Sequence, residues 1–131
     1  MTIFVDTSAF LAVLNADDAN HVAAKRSWER MLRQEEPLVC TSYVLVETFA
    51  LLQNRLGMAA VRAFQETIVP LVQVEWVDFS IHRAGISALL TANRRQLSLV
   101  DCVSFEVMRS LGMTTAFAFD PHFTEQGFLL V

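Results

Sequence analysis

The sequence predicts an α/β protein, a three-layer α/β/α sandwich around a short, mostly parallel sheet of four or five strands. Short β-rich apolar runs alternate with helical patterns along the chain, and this alternation is typical of a parallel sheet with helices on its faces. No hairpin turn such as Asn-Gly joins two of the runs. A chain of 131 residues that is 53% hydrophobic can fill one core, so we predict a single domain over 1–131.

Each predicted element follows from a local pattern. Residues 3–5 form a β-rich run, Pro37 ends the second helix, Gly57 ends the third, and Ser98 is a suitable N-cap for the last long helix. The third helix is apolar nearly all round, which is typical of a buried helix. The predicted strands are 3–5, 38–40, 71–77 and 114–119, with 128–130 as a fifth, and the predicted helices are 7–15, 20–36, 42–56, 58–68, 80–93 and 98–112.

The net charge is −4, from 14 acidic and 10 basic residues. The sequence has no basic arm, which argues against a nucleic-acid binder held by bulk electrostatics but not against an enzyme that reaches phosphates through metal ions. It has no signal-peptide pattern and no apolar run long enough to span a membrane. Cys40 and Cys102 lie in apolar surroundings typical of buried thiols. We therefore expect a cytoplasmic protein.

Four acidic residues stand out by their positions. Asp6 directly follows the first predicted strand and Asp120 the fourth, and ligands bind beyond the carboxyl ends of the strands in an open parallel sheet. Glu47 lies inside the apolar third helix, with no basic residue one helical turn away. Asp101 lies in the first turn of the sixth helix among apolar neighbours. We therefore expect the four carboxylates to meet at one edge of the sheet.

Three of the four acids also have a local structural explanation. Asp6 and Asp120 are suitable N-caps for a following helix, and Asp120 is followed by a proline, which is favoured at the first helical position. Ser98 and Asp101 have the spacing of a capping box. Glu47 is too far inside its helix to cap it, and buried acids are rare without a partner. For the other three, the sequence leaves both capping and function open.

Clustered carboxylates repel one another, by about 4 kcal/mol for a pair ~4 Å apart at an effective dielectric constant of ~20. They are stable together only if cations neutralise them or if some stay protonated. Mg²⁺ prefers oxygen ligands, and two metal ions about 4 Å apart are a known arrangement for in-line phosphodiester displacement. The sequence contains no Gly-rich phosphate loop, zinc-type histidine pair or nucleophile elbow. It therefore predicts metal-dependent phosphodiester hydrolysis at these four acids.

Four segments around the acids resemble, in the same order, the acidic motifs of PIN-domain proteins. They are Val5 to Phe10, Ser42 to Glu47, Leu97 to Cys102 and Ala118 to Phe123. The chain length and the last motif are most similar to the VapC-like toxins of type II toxin–antitoxin pairs. The resemblance implies an endoribonuclease that depends on Mg²⁺ or Mn²⁺, a homodimer, and a small cognate antitoxin protein that inhibits the enzyme by occupying the site.

The resemblance also implies a role for each acid. Asp6 and Asp101 match the most direct metal ligands. Glu47 matches a second ligand or a water-orienting acid, and Asp120 matches a supporting acid for a second metal ion.

Four further residues are predicted to support the site. Thr7 and Ser104 place hydroxyl groups beside the acidic motifs, where they could support the acids or contact phosphate, although both also fit ordinary helix turns. Arg94 and Arg95 precede the third motif and could hold RNA phosphates at the mouth of the site, since arginine suits bidentate phosphate contact; a solvated loop is the alternative. His122, two residues after Asp120, could approach RNA or a metal ion, but it is interpreted as a surface-loop histidine.

Other functional classes remain open from the sequence. The same acids could serve a housekeeping RNA-processing enzyme or a DNA-directed nuclease of the same fold, and a chain that has kept the fold could act as a non-catalytic RNA-binding regulator. The presence of all four acids favours catalysis. The sequence therefore predicts a Mg²⁺-dependent endoribonuclease that acts as the toxin of a toxin–antitoxin pair.

Overall fold

The computed structural model describes residues 1–131 as a five-stranded sheet with helices packed against it in an α/β/α arrangement. The strand order is β3-β2-β1-β4-β5, and every pairing is parallel. The elements in chain order are β1 (Ile3–Val5), α1 (Thr7–Leu14), α2 (His21–Arg33), β2 (Leu38–Thr41), α3 (Ser42–Arg55), α4 (Met58–Ala63), β3 (Gln73–Glu75), α5 (Phe79–Ala92), α6 (Leu99–Ser110), β4 (Thr115–Phe117), α7 (His122–Glu125) and β5 (Leu129–Leu130).

β1 is the central strand, and all of its residues are buried. Phe4 lies opposite Val39 of β2 on one side and Ala116 of β4 on the other. The chain builds the sheet outward from β1 to β3 and then returns with β4 to the other side of β1, so the strand order reverses between β1 and β4. Ligands of open α/β sheets bind in the crevice at such a reversal, beyond the carboxyl ends of the strands. The predicted fold class is confirmed.

The predicted elements occur in the predicted order, but the short helix α7 is not among them and several boundaries differ. β3 is shorter than the predicted 71–77, because a 3₁₀ turn that contains Pro70 extends into the start of that range. Pro70 also has no N–H group to donate to a neighbouring strand. The helix predicted over 58–68 is α-helical only as far as Ala63 and continues as a wider π-helical turn. β4 ends at Phe117, earlier than predicted.

The prediction that α3 is buried all round is wrong. Val44, Thr48 and Leu52 form a fully buried stripe, whereas Val46 is 67% exposed and Ala50 is also exposed. α3 packs against α1 and α6, and these contacts cover one face of the helix and leave the other free in the single chain.

Across the whole chain, no helix combines the length and the apolar character needed to cross a membrane.

α5 packs closely against α6 through Gly85. A Cβ atom added at Gly85 would lie 2.5 Å from Cγ2 of Val103, well inside the usual separation of two carbon atoms. Val103 is fully buried, and its β-branched side chain has little freedom to move away. Because α6 also carries Asp101, this contact helps to position one of the predicted site acids.

We expect Gly85→Ala to lower the free energy of unfolding by about 1–3 kcal/mol, because overpacking against Val103 outweighs the roughly 1 kcal/mol of helix propensity that alanine adds. Urea denaturation followed by circular dichroism measures the change. The effects of Gly85→Ala and Val103→Ala should be less than additive in the double variant, since the second substitution removes the clashing methyl group. Ser87→Ala, at an exposed position of α5, is the control. A Gly85→Ala protein as stable as the wild type would contradict this close packing.

Candidate active site

Asp6 follows β1 directly and is the N-cap of α1. The residue is only 3% exposed. Its Oδ2 atom accepts hydrogen bonds from the N–H of Ser8 at 3.2 Å and from the hydroxyl of Ser8 at 2.7 Å. The N–H of Asp6 donates to the carbonyl of Phe117 at the end of β4, at 3.0 Å. The capping explanation is therefore correct, and the cap holds the carboxylate at the crevice between β1 and β4.

Ser8 joins the two sides of this crevice. Its hydroxyl donates to Asp6, and its Oγ accepts from the N–H of Phe119 at 3.0 Å, beyond the end of β4. Ser8 is not among the residues predicted from the sequence. The available signal is its position two residues after a helix-capping aspartate, where serine side chains often hydrogen-bond nearby backbone groups.

Asp101 forms the predicted capping box with Ser98 at the start of α6. The N–H of Asp101 donates to Oγ of Ser98 at 3.0 Å, and the N–H of Ser98 donates to Oδ2 of Asp101 at 3.2 Å. Asp101 is 6% exposed. Its carboxylate is therefore buried and fixed by the helix that it caps.

Asp120 lies three residues beyond β4, rather than directly after it as predicted, because the strand ends at Phe117. Its Oδ1 accepts a hydrogen bond from the N–H of His122 at 2.9 Å. α7 begins at His122 with Pro121 in the N-cap position, so Asp120 supports the helix from one position earlier than predicted. Its side chain remains 25% exposed, which makes it the most accessible of the three aspartates.

The fold brings these aspartates together. The ligand atoms of Asp101, Asp120 and His122 lie within 4.8 Å of one another. Asp6 is not one of the residues in this group of ligand atoms, but it is close enough to Asp101 and Asp120 that the charges of both carboxylates raise its pKa. The residues come from the starts of α1, α6 and α7, three segments that are far apart in the sequence and meet at the strand-order reversal.

His122 is buried, at 7% exposure, so its interpretation as a surface-loop histidine is wrong. Its Nδ1 lies 3.3 Å from Oε2 of Glu125, and its Nε2 lies 3.2 Å from the carbonyl oxygen of Gln96 and 3.9 Å from Oδ1 of Asp120. Burial lowers the pKa of His122, but the hydrogen bond to Glu125 and the charges of Asp120 and Asp101 outweigh burial and raise this pKa overall. Because its two hydrogen-bond partners are acceptors, the ring bonds both only when it is protonated.

The carboxylates repel one another in surroundings that contain little water. Burial, followed by the charges of Asp101 and Asp120, raises the pKa of Asp6 from 3.8 to about 7, although the hydrogen bonds from Ser8 act in the opposite direction. Burial and the charge of Asp120 also raise the pKa of Asp101, against the hydrogen bonds with Ser98 and the charge of His122. Both carboxyl groups are therefore harder to ionise than an exposed aspartate.

Glu47 is half-buried on α3 and makes no ion pair. The next residue, Thr48, brings α3 against the start of α1: its Oγ1 lies 3.3 Å from Oγ1 of Thr7 and donates to the carbonyl of Val44 at 2.7 Å. α3 therefore runs beside the segment that carries Asp6. Glu47 is not part of the close cluster of ligand atoms, and its role as a fourth acid stays a prediction.

The four residues predicted to support the site have varied surroundings. The Thr7 hydroxyl faces the carbonyl of Val44 at 3.4 Å, and the Ser104 hydroxyl donates to a carbonyl of its own helix at 2.8 Å. Arg94 donates to Glu125 at 2.8 Å, and Arg95 is exposed. Their proposed contacts with acids or phosphate therefore stay predictions.

The donor set fits a divalent metal ion. No arginine or lysine pairs with Asp6, Asp101 or Asp120, and their one ion pair is that of Asp120 with His122. Carboxylate oxygens suit hard cations, and a divalent cation would offset the burial and the repulsion that together raise the pKa of Asp6.

The structure is a small parallel α/β sheet with an acidic cluster at its strand-order reversal, at the carboxyl end of the sheet. The chain belongs to the PIN-domain family, whose model matches residues 3–129. The family predicted from the four acidic motifs is therefore confirmed.

Two comparisons extend over nearly the whole chain and carry substantial identity. The 23S rRNA-specific endonuclease VapC20 of Mycobacterium tuberculosis is 42% identical over 131 residues, which covers 98% of this chain and 97% of the relative. The crystal structure of M. tuberculosis VapC20, a sarcin–ricin loop cleaving toxin, superposes with a TM-score of 0.83 at 38% identity, covering 97% of this chain and 96% of the other. VapBC2 from Rickettsia felis, bound to a promoter DNA fragment, shares the fold with a TM-score of 0.72 at 9% identity, covering 100% and 98% of the chains.

The metal-free protein should lose stability as the pH rises from about 4 to about 7. The pKa of Asp6 is raised from 3.8 to about 7 in the folded protein, so the folded state keeps a proton that the unfolded chain has already released. Above this window the folded state holds a buried charge. Thermal melts between pH 5 and pH 8 in the presence of a chelator measure the effect.

Asp6→Asn removes this ionisation. We expect it to reduce the pH dependence, leaving the part that comes from Asp101, and to raise Tm at pH 8 by about 5 °C or more. Asp17→Asn, at an exposed position, is the matched control and should follow the wild-type profile. An Asp6→Asn variant that follows the wild-type profile would show that Asp6 ionises freely in the folded protein.

Proposed function

We propose that this protein is a metal-dependent endoribonuclease that acts as the toxin of a toxin–antitoxin pair. The observation that carries the proposal is the convergence of Asp6, Asp101 and Asp120 at the strand-order reversal without an arginine or lysine partner. Support also comes from the 42% identity to an endonuclease specific for 23S rRNA.

Asp6 and Asp101 are the proposed principal metal ligands, because both are buried and held by hydrogen bonds from their own helix starts. Asp120, which is more exposed, is the proposed supporting acid on the solvent side. Glu47 is the proposed second ligand or water-orienting acid, since α3 packs beside the Asp6 segment. Ser8 and Ser98 hold the carboxylates of Asp6 and Asp101 in place.

Mg²⁺ is the proposed ion, with Mn²⁺ as a substitute, because the proposed ligands are carboxylate oxygens. A divalent cation held by these carboxylates would supply positive charge beside phosphate oxygens and would lower the pKa of a bound water molecule. Both principal carboxyl groups have raised pKa values, so protons compete with the metal ion at acidic pH.

RNA is the proposed substrate, and ribosomal RNA of the large subunit is the first RNA to test, because the VapC20 relative is specific for 23S rRNA. A DNA-directed or housekeeping nuclease would use the same acids, and the comparison of substrates distinguishes them. A non-catalytic RNA-binding role has less support, since the acids of the cluster are all retained.

A cognate antitoxin protein and a second copy of the chain are the proposed protein partners. Support for a homodimer comes from large apolar side chains exposed in the single chain, where Val46 is 67% exposed and Trp76 and Phe79 are each 75% exposed. Exposed apolar side chains mark a protein–protein contact where they form one continuous patch, and Trp76 and Phe79 are only three residues apart in the sequence. The proposed location is the cytoplasm, in keeping with the free buried thiols of Cys40 and Cys102.

The purified protein should cut 23S rRNA with Mg²⁺ and not with a chelator. We expect Asp101→Asn to reduce the rate of cleavage by about 100-fold or more. Substituting residues that only hydrogen-bond to the metal ligands already lowers metal affinity or activity by about 10- to 100-fold, and Asp101 is a proposed direct ligand. Gel analysis of labelled RNA, with matched single- and double-stranded DNA, measures rate and substrate class. Asp17→Asn should cleave like the wild type.

Expression in a host without the antitoxin should arrest growth, and Asp101→Asn should relieve the arrest. No cleavage of RNA in the presence of Mg²⁺ or Mn²⁺, or an arrest that Asp101→Asn leaves intact, would overturn the catalytic proposal. Cleavage of DNA in preference to RNA would replace the substrate while keeping the site.

A further inference from the structure

Glu125 is the last residue of α7 and lies outside the acidic motifs. Its Oε2 accepts a hydrogen bond from Nη1 of Arg94 at 2.8 Å and lies 3.3 Å from Nδ1 of His122. The hydrogen bonds from Arg94 and His122, followed by the charges of the same two residues, lower the pKa of Glu125. One carboxylate oxygen therefore connects α7 to the loop between α5 and α6.

The imidazole of His122 makes a second connection between the same two segments. While Nδ1 faces Glu125, Nε2 lies 3.2 Å from the carbonyl oxygen of Gln96. Gln96 is two residues before Ser98, the N-cap of α6. The loop is thus held to α7 at two points, through the side chain of Arg94 and the backbone of Gln96. We call Arg94, Gln96, His122 and Glu125 the Glu125 clamp.

The two segments that the Glu125 clamp joins carry two acids of the site. On one side, the loop leads into the capping box in which Ser98 holds Asp101. On the other, the N–H of His122 holds Asp120 at 2.9 Å. Phe105 of α6 also packs against Phe123 of α7, with the ring centroids 5.0 Å apart, but the clamp supplies the hydrogen bonds between the loop that leads into α6 and the Asp120 segment.

We propose that Glu125 is a positioning residue that sets the spacing of Asp101 and Asp120 by clamping Arg94 and His122 across the two segments. This role rests on the proposed metal site, because its consequence is a preorganised pair of carboxylates. It also assigns Arg94 to the clamp: its guanidinium is engaged by Glu125 rather than held free for RNA phosphate.

Amide hydrogen exchange of the metal-free protein tests the clamp without metal or RNA. Glu125→Ala should speed the exchange of the Ser98 and His122 N–H groups by about 5-fold or more, because their hydrogen bonds to Asp101 and Asp120 would open more often. Arg94→Ala should act in the same direction. Glu66→Ala, which removes an exposed acid with no ion pair, is the control. Unchanged exchange in Glu125→Ala overturns the proposal.

Mn²⁺ titration followed by electron paramagnetic resonance tests the consequence. Glu125→Ala should weaken Mn²⁺ binding by about 10-fold, with global stability near that of Glu66→Ala. The double variant Arg94→Ala/Glu125→Ala should bind no more weakly than Glu125→Ala, because both substitutions break the same clamp. Additive losses would overturn the clamp. An Arg94→Ala protein that binds Mn²⁺ like the wild type but has a raised KM for RNA would also overturn the clamp, since Arg94 would then contact RNA.

The clamp and the proposed function fail in different ways. Wild-type protein that binds Mn²⁺ but cleaves no RNA would overturn the nuclease proposal, and the exchange and Mn²⁺ measurements would still decide the clamp. Wild-type protein that cleaves RNA, with Glu125→Ala unchanged in exchange and Mn²⁺ binding, would overturn the clamp and leave the nuclease proposal standing.

Discussion

A carboxylate buried at the end of the central strand is the constraint around which the site is organised. β1 has a neighbouring strand on each side, so the side chain of Asp6 at its end lies 3% exposed. Water therefore contributes little to its ionisation, and Asp101 and Asp120 add repulsion. Two hydrogen bonds from Ser8 offset part of this repulsion. The remaining excess of negative charge favours a cation in the crevice, because electrostatic interactions are strong where water is excluded.

Helix capping and the acidic site are not alternatives in this protein. Asp6, Asp101 and Asp120 each accept a backbone N–H near the start of a helix, at α1, α6 and α7. These bonds hold each carboxylate in one orientation, and N–H groups at a helix start favour a negative charge nearby. Local capping therefore fixes the carboxylates, and the sheet brings the three helix starts together. The Glu125 clamp, as proposed, would add a lateral connection between two of them.

The comparisons separate what the fold requires from what this chain shares with its nearer relatives. VapBC2 from Rickettsia felis retains the fold at 9% identity, because a short parallel sheet needs apolar strands and suitable helices rather than particular residues. VapC20 shares 42% identity across nearly the full length of both chains, and its endonuclease activity is of the class that the acidic motifs predict.

The sequence by itself determined the fold class, the order of the long elements and the family, and it identified Asp6 and Asp101 as suitable helix caps, because apolar periodicity and helix-start chemistry are local. Tertiary structure decided the rest. Three features depend on contacts between segments that are distant in sequence: the end of β4 at Phe117, the burial of His122, and the hydrogen bond from the N–H of Phe119 to Ser8. Glu47 shows the same limit: its apolar neighbours indicated a buried helix, yet α3 buries one face and leaves Glu47 half-buried. Periodicity shows which residues share a face, but only packing determines which faces are covered.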